Sequence, residues 1–120
     1  MAKAPTLWHR PLTPSEFHIL LALCEREKHG YAIQREVRRF RAGSPLLGPA
    51  TLYSTLKRLC AAGLIEHRFY PEYPNQRRRY YRLTKAGLRL ARAEAERMLV
   101  LVRTAYEKGL LTERRIFGWP

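Results

Sequence analysis

The sequence predicts a mainly α-helical fold that contains one small β-hairpin and ends in a long helix. Two changes in the spacing of apolar residues support this fold class. Up to Gly63 the apolar residues recur every three or four positions, as on the buried face of a helix. From Leu64 to Leu83 they alternate with polar residues, as in half-buried strands, and after Thr84 the helical spacing returns. We therefore expect three short helices, a hairpin and a long C-terminal helix, in that order.

The composition indicates a single domain with a polyanionic partner. The chain has 120 residues, enough for one compact domain and too few for two substantial ones. Its 23 lysines and arginines against 10 acidic residues give a net charge of +13, which favours nucleic acid first and a membrane surface second. No run approaches the roughly 18 apolar residues of a spanning helix, and the N-terminus lacks the apolar core of a signal peptide. We therefore expect a cytoplasmic protein with no membrane partner.

The cysteines and histidines predict neither a metal site nor a cofactor. Cys24 and Cys60 each lie on an apolar helical face, which predicts two buried, reduced thiols. No Cys-x-x-Cys or paired histidine spacing occurs. Catalysis is also disfavoured, because the histidines lie on different elements without an accompanying nucleophile or carboxylate constellation. These histidines are His9, His18, His29 and His67.

The first two helices have clear signals. Thr13 and Glu16 form a capping box, and apolar residues follow through about residue 27. The predicted buried face of this helix is formed by Phe17, Leu20, Leu21, Leu23 and Cys24. The Lys-His-Gly run at residues 28–30 interrupts the pattern, and Tyr31 opens a second helix that buries Ile33, Val37 and Phe40. Residues 42–45 end it, and the first 11 residues, with Trp8, form an arm without periodicity.

A third helix at residues 48–63 carries a polar, basic face. Pro49 suits the first helical turn, and Gly63 suits the left-handed residue that closes a helix. Its predicted buried face is formed by Leu52, Leu56, Leu59 and Cys60. The positions predicted to face outward are Thr51, Tyr53, Ser54, Thr55, Lys57 and Arg58. Hydroxyls and cations suit phosphate oxygens and base edges, although an ordinary solvated surface helix has the same pattern.

The hairpin that follows is also basic. The alternation at residues 64–70 points Ile65, His67 and Phe69 toward the core. Residues 71–76 form the turn, and residues 77–83 return with Tyr81 and Leu83 in phase with the core. The tip and return strand carry four arginines, Arg77, Arg78, Arg79 and Arg82.

The last long helix, residues 85–108, predicts a dimer. Thr84 caps it and Gly109 ends it. Apolar residues spaced by three and four form a coiled-coil seam, and neighbouring apolar residues widen it. The predicted interface residues are Leu88, Ala91, Ala95, Met98, Leu99, Val102, Ala105 and Tyr106. The alternative is packing on the chain's own core. A domain of three short helices is too small to cover so long an apolar helix, so we favour a two-fold dimer.

This order of elements is that of a winged helix-turn-helix with a C-terminal dimerisation helix, and three motifs resemble the PadR family of bacterial transcriptional regulators. They are HGYAI at residues 29–33, GPATLYSTLKRLCAAGLIE at residues 48–66 and RRYYRLTKAG at residues 78–87. The short single C-terminal helix resembles the smaller class of that family. We therefore divide the chain into an arm (1–11), a winged-helix DNA-binding domain (12–83), a dimerisation helix (84–111) and a tail (112–120).

The resemblance implies a homodimer that binds a pseudo-palindromic operator on double-stranded DNA, usually to repress transcription. The third helix would be the recognition helix, with its N-terminal residues reaching bases or phosphates and Lys57 anchored to phosphate. Those N-terminal residues are Ala50, Thr51, Tyr53 and Ser54. Arg77, Arg78 and Arg79 would approach the minor groove or its phosphates, and Tyr31 would steady a backbone contact.

The sequence leaves the effector and the specificity of binding open. Some family members bind planar compounds between the dimer helices and the DNA-binding domains, in some cases between tryptophans of the last helix. Residues 85–108 contain no tryptophan, so we favour a dry interface over a pocket for a small apolar or aromatic effector. A competing interpretation is an architectural protein that binds nucleic acid without sequence preference. Another is a subunit that joins a larger protein complex through its last helix.

Overall fold

The computed structural model describes residues 10–40, 48–72 and 76–117, without the side chains of residues 72, 76, 77, 116 and 117. The helices are α1 (Pro14–Ala22), α2 (Gly30–Phe40), α3 (Pro49–Ala61), α4 (Lys85–Glu107) and α5 (Glu113–Phe117). The strands are β1 (Lys28–His29), β2 (Ile65–Glu72) and β3 (Gln76–Leu83), in the antiparallel order β1-β3-β2. The predicted fold class, mainly helical with a winged helix-turn-helix, is confirmed. The arm with Trp8, the end of the second helix at residues 42–45 and the last three residues of the tail lie outside the described residues.

Helix α1 begins as predicted but ends early. The Thr13 hydroxyl accepts from the Glu16 amide at 3.2 Å, and the Glu16 carboxylate accepts from the Thr13 amide at 2.8 Å, which confirms the capping box. The helix ends at Ala22, not near residue 27, and the carbonyl of Ala22 accepts from Lys28 Nζ at 2.5 Å. That bond satisfies a carbonyl of the last turn where the chain turns toward β1. Cys24 therefore lies beyond the helix and is exposed, so the prediction of a buried thiol there was wrong.

The segment predicted as a simple break contains a strand. Lys28 pairs with Tyr81, and His29 pairs with Tyr80, so β1 adds a third strand beside the hairpin. Two residues are too few to show an alternating pattern, and their conformation is set by pairing with β3.

The hairpin of β2 and β3 is called the wing below. Its side chains alternate between the core and solvent only near its base. Ile65 opposite Leu83 and His67 opposite Tyr81 fix the register. Ile65 and Tyr81 are buried, whereas His67 and Phe69 are exposed, contrary to the sequence prediction. The burial ends there because the helices pack only on the base of the wing, and the Arg79 guanidinium lies 4.8 Å from the Phe69 ring centroid instead.

The core lies between α1, α2, α3, the base of the wing and the start of α4. Its fully buried side chains include Ile19, Leu20, Ile33, Val37, Leu52, Leu56, Leu59, Leu64 and Ile65. Leu52, Leu56 and Leu59 were predicted there, and Cys60 is half-buried. Thr55, predicted to face outward, is buried and donates its hydroxyl to the Thr51 carbonyl at 2.7 Å. A threonine can lie on the apolar face because this bond satisfies its hydroxyl.

Two glycines shape the joint between α3 and α4. Gly63 has φ +76°, the left-handed conformation predicted for the end of the helix. At Gly87 a Cβ would lie 2.0 Å from the Leu64 carbonyl oxygen, so only glycine fits. Thr84, the N-cap of α4, donates its hydroxyl to the Gly63 carbonyl at 2.7 Å and accepts from the Gly87 amide at 3.0 Å. The start of α4 is thereby fixed closely to the corner after α3.

Helix α4 is buried at its start and exposed along its second half. Gly87, Ala91 and Glu94 are buried, and Ala91 belongs to the chain's own core, which leaves little of this predicted interface residue for a partner. Of the other predicted interface residues, Leu88, Met98 and Ala105 are half-buried, and Ala95, Leu99, Val102 and Tyr106 are exposed. Helix α5 contacts this region, because Tyr106 donates to the Glu113 carboxylate at 3.2 Å. In the described part of the chain, no helix has the length and apolarity needed to cross a membrane.

Candidate nucleic-acid interface

The first half of α3 presents its polar residues to solvent. Ala50, Thr51, Tyr53 and Ser54 are exposed, as predicted, and so is Lys57 one turn later. Gly48, the N-cap, makes no side-chain capping bond, so the first amides of the helix are not closed off by a side chain. Backbone amides and the positive end of a helix dipole attract anions. This end of α3 therefore offers hydroxyls, amides and partial positive charge together.

Tyr53 leans from α3 over the first residue of α2. Its ring is half exposed, and its hydroxyl lies 2.5 Å from the place that a Cβ at residue 30 would occupy. Gly30 is thus the residue that admits this tyrosine against the start of α2. A larger residue there would push the hydroxyl of Tyr53 away.

His29 connects α2 with the wing. Its ring is stacked parallel to Tyr31, with centroids 6.5 Å apart, and meets the edge of Tyr80 at 5.4 Å. The backbone amide of Ala32 donates to its Nδ1 at 3.2 Å, and Nη1 of Arg78 lies 3.1 Å from its Nε2. This contact sets one wing arginine beside the exposed Tyr31.

These groups line a cleft of about 260 Å³ between α2, α3 and the wing, which we call the α3–wing cleft. Its lining residues are His29, Gly30, Tyr31, Tyr53, Arg78, Arg79 and Tyr81. A neighbouring cleft of about 460 Å³ shares three of them and adds Lys57, Cys60 and His67. Tyrosines, histidines and cations at both clefts fit a ligand that is anionic.

Arg82, the last of the four arginines predicted at the tip and return strand, is bound to a carboxylate. Arg82 donates to the Glu66 carboxylate at 2.6 Å, on the face of the sheet opposite Tyr81. On the same face Tyr70 donates to Glu27 at 2.7 Å. The backbone of Arg77 pairs with Pro71, but its side chain lies outside the described residues.

A buried carboxylate anchors the second half of α3. Glu16 is fully buried and accepts from Arg10 at 2.8 and 2.7 Å and from Arg58 at 3.2 Å. Burial opposes ionisation of this carboxyl, but the hydrogen bonds from Arg10, Thr13 and Arg58 outweigh it and lower its pKa to about 2. Arg58, predicted to be an outward cation, is therefore bound to α1. The capping box identified Glu16 as a cap, but no local signal indicated its contact with Arg58, 42 positions away.

Comparisons with known proteins identify the family of the chain and support its fold. The model of the transcriptional regulator PadR-like family matches residues 19–93, more than half of the chain. The chain belongs to the PadR-like family. A comparison with curated proteins found no match.

Solved PadR-like structures share the fold. A PadR family transcription regulator from hypervirulent Clostridium difficile is 25% identical, with a TM-score of 0.69 over 79% of this chain and 97% of that one. A transcriptional regulator from Clostridium thermocellum is 28% identical, with a TM-score of 0.63 over 80% and 92% of the two chains. PadR from Bacillus subtilis, solved in complex with operator DNA, is 23% identical, with a TM-score of 0.56 over 65% and 44%.

The structure brings most predicted contact residues of this PadR-like chain to one surface. Tyr31, Tyr53, Arg78 and Arg79 meet in the α3–wing cleft, and Lys57 lines the neighbouring cleft. The sequence interpretation missed His29 and Gly30 as parts of this surface, although both lie in the HGYAI motif. Within residues 10–40, 48–72 and 76–117, no group of three or more metal-ligating side chains is present.

Proposed function

We propose that the protein is a homodimeric, sequence-specific repressor that binds double-stranded DNA at a pseudo-palindromic operator. The observation that carries this proposal is the exposed first half of α3 beside the cationic α3–wing cleft. Thr51 and Ser54 are short polar side chains on a helix narrow enough for the major groove, where base edges are read. Lys57, Arg78 and Arg79, which line the two clefts nearby, supply the cations that phosphates attract.

The overall charge and one relative support DNA as the partner. A net charge of +13 on 120 residues favours a polyanion. The similar PadR from Bacillus subtilis was solved with operator DNA. We infer that this chain acts in the cytoplasm and by occupying a promoter, without catalysis.

The second half of α4 supports a dimer. Leu99, Val100, Leu101, Val102 and Tyr106 expose between 39% and 60% of their surfaces, which is unusual for adjacent large apolar residues on a small domain. A second copy packed along this helix would cover the stripe that contains Met98 and Val102. We propose a dry interface there, and an apolar or aromatic effector between the subunits is the alternative.

Selection of bound fragments from randomised DNA at near-physiological salt tests the proposal. An enriched inverted repeat with half-sites about ten base pairs apart is expected, because a two-fold dimer places its recognition helices one DNA turn apart. A ratio of specific to random binding of ~10³ or more would separate an operator reader from an architectural protein. Enrichment of no sequence, with retention that depends only on salt, would contradict the proposal and favour the architectural function.

A further inference from the structure

A thiol and an imidazole meet where the end of α3 packs against β2. Cys60 lies in the last turn of α3 and His67 lies on β2, and the Cys60 Sγ is 3.8 Å from the His67 Nδ1. An imidazole nitrogen can either donate or accept a proton, so the two groups can exchange one across this contact. The thiol has other contacts as well, and it is not part of a disulfide. Its sulfur is therefore in the reduced form that can react.

The same two residues line a cleft that carries cations. This is the cleft of about 460 Å³ described above, which we call the Cys60 cleft. Lys57 and Arg79 also line it, and both side chains are exposed. Among the described residues of its lining there is no aspartate or glutamate. Nearby cations and an imidazole favour the thiolate, which is the reactive form of cysteine, so Cys60 has the surroundings of a nucleophile.

The other cysteine of the chain has the opposite surroundings. The Cys24 thiol donates to the Leu20 carbonyl at 3.4 Å. Although the residue is exposed, partial burial of its sulfur raises the pKa of this thiol, and the Glu25 carboxylate raises it further. Cys24 therefore stays protonated at neutral pH. It provides an internal control whose electrostatic surroundings differ from those of Cys60.

We propose that Cys60 is a modification site for hydroperoxides, with His67 as the group that takes and returns the proton. The Cys60 thiolate attacks the terminal oxygen of the hydroperoxide, so that an S–O bond forms and the O–O bond breaks. The leaving alkoxide takes the proton that His67 received from the thiol and departs as an alcohol, or as water when the reactant is hydrogen peroxide. The sulfur is oxidised by two electrons to a sulfenic acid, and the peroxide is reduced by the same two electrons.

Oxidation of Cys60 should also weaken DNA binding, a consequence that rests on the proposed function. Cys60 is on α3 and shares its cleft with Lys57 and Arg79, two of the cations that we expect to attract phosphate. The oxygen of a sulfenic acid is an additional acceptor that competes with phosphate for these cations. We expect operator affinity to fall about tenfold, as it would for the loss of one charged hydrogen bond.

The first test compares the oxidation of the two cysteines. The full-length protein is treated with tert-butyl hydroperoxide, sulfenic acid is trapped with dimedone, and the adducts at Cys60 and Cys24 are quantified by mass spectrometry. At pH 7 we expect Cys60 to react at least about tenfold faster than Cys24, because an ordinary thiol is only a few per cent thiolate at that pH.

His67→Gln tests the role of the imidazole. His67 is exposed, so this variant should keep the fold, which circular dichroism checks. Alkylation of Cys60 by iodoacetamide should slow by about three- to tenfold at pH 7. Near about pH 10 the rates of the variant and the unsubstituted protein should converge, because thiols are ionised there whatever their neighbours. An unchanged rate at pH 7, or an equal loss of rate at both pH values, would overturn the proton transfer to His67.

Serine variants of the two cysteines form a matched pair for the effect on DNA. After treatment with the peroxide, the unsubstituted protein and Cys24→Ser should lose affinity for the operator found by DNA selection. Dithiothreitol should restore this affinity, because a sulfenic acid is reversible. Cys60→Ser should keep its affinity throughout the treatment.

The outcomes separate the modification site from the function to which it is coupled. A Cys60 thiol that reacts no faster than Cys24 would overturn the site, whether or not the protein binds DNA. Oxidised Cys60 with unchanged operator affinity would overturn its effect on DNA binding. If the unsubstituted protein binds no duplex, the proposed function fails, and the oxidation and alkylation rates still decide on Cys60 because they need no DNA.

Discussion

The two exposed surfaces of this molecule differ in the physics that would hold a partner to them. The α3–wing surface presents hydroxyls and arginines, whereas the second half of α4 presents adjacent large apolar side chains. A charged contact with DNA weakens as salt rises, because bound counterions are no longer released with the same gain. Burial of apolar surface does not weaken in this way. Because only the charged contact depends strongly on salt, an experiment can weaken DNA binding without weakening dimerisation.

A rise in salt concentration should give the largest difference between DNA binding and dimerisation. If six to ten phosphates are neutralised, affinity for the operator should fall ~10³ to 10⁵-fold between about 50 and 200 mM salt, as counterion release predicts. The dimer should persist over the same range. Fluorescence anisotropy of labelled operator and light scattering measure the two quantities on the same samples. Dissociation of the dimer in step with the loss of DNA would show that the α4 contact is electrostatic instead.

Charged substitutions on the apolar second half of α4 should act primarily by breaking the dimer. Met98→Glu with Val102→Glu places carboxylates in the proposed seam, where they would be buried without partners. Monomers are expected by light scattering, and operator affinity should fall by about 10² to 10⁴ because the two half-sites are no longer bound together.

Arg103→Glu is the matched control for that pair. Arg103 is exposed on α4 and is not among the predicted interface residues, so this charge change should leave the dimer intact. A dimer that survives the double change at Met98 and Val102 would refute the proposed seam.

Substitutions on α3 should give the opposite result. Thr51→Ala with Tyr53→Ala removes exposed groups and leaves the core unchanged, so the dimer should remain. Specific binding should be abolished, which means that a preference of ~10³ over random DNA falls toward none. Competition between operator and random duplexes measures this ratio. Sequence preference that survives the double change would refute α3 as the reading helix.

Substitution of Glu16 should have a smaller effect, and this effect should be on the free energy of unfolding. Glu16→Gln keeps the shape of the cap but removes the charge that binds Arg10 and Arg58. The loss should be about 2 kcal/mol at pH 7, allowing for solvent screening of the two half-exposed arginines. Because the pKa of Glu16 is lowered from 4.5 to about 2 in the folded protein, its contribution is complete above pH 4.5 and is lost as the pH falls toward 2.

Urea unfolding at pH 7 and pH 3 checks this prediction. The difference in unfolding free energy between the unsubstituted protein and Glu16→Gln should narrow at pH 3. Glu66→Gln breaks a solvent-exposed pair with Arg82 and should cost less than about 1 kcal/mol, as surface pairs do. A Glu16 effect that is equal at both pH values would contradict the role of its charge.

The sequence predicted those features that depend on near neighbours along the chain. The capping box of Thr13 and Glu16, the left-handed Gly63 and the extent of α4 all follow from local patterns, and the structure confirms them. Features set by distant contacts were missed. The strand at Lys28 exists through pairing with Tyr81, and Arg58 binds Glu16, which lies 42 positions away in the chain.

The same limit applies to the candidate interface. The identities of Thr51, Tyr53 and Arg78 pointed to nucleic acid, but their sequence positions did not show which of them meet. His29 looked like a solitary histidine in a chain break. Its place in the α3–wing cleft appeared only when pairing with Tyr80 set it beside Arg78. Residue types thus indicated the partner, and the long-range pairing of strands indicated the shape of the site.

The glycine at position 87 lets the start of α4 lie directly against the Leu64 carbonyl. Thr84 bonds the same end of α4 to the Gly63 carbonyl, so a rotation of α4 on the domain would disturb both contacts. In a dimer the angle between the paired α4 helices would therefore set the distance between the two α3 helices. A change of a few degrees in the crossing angle of the paired α4 helices would then change the distance between the two α3 helices. The spacing of the DNA half-sites that the dimer fits would change with it.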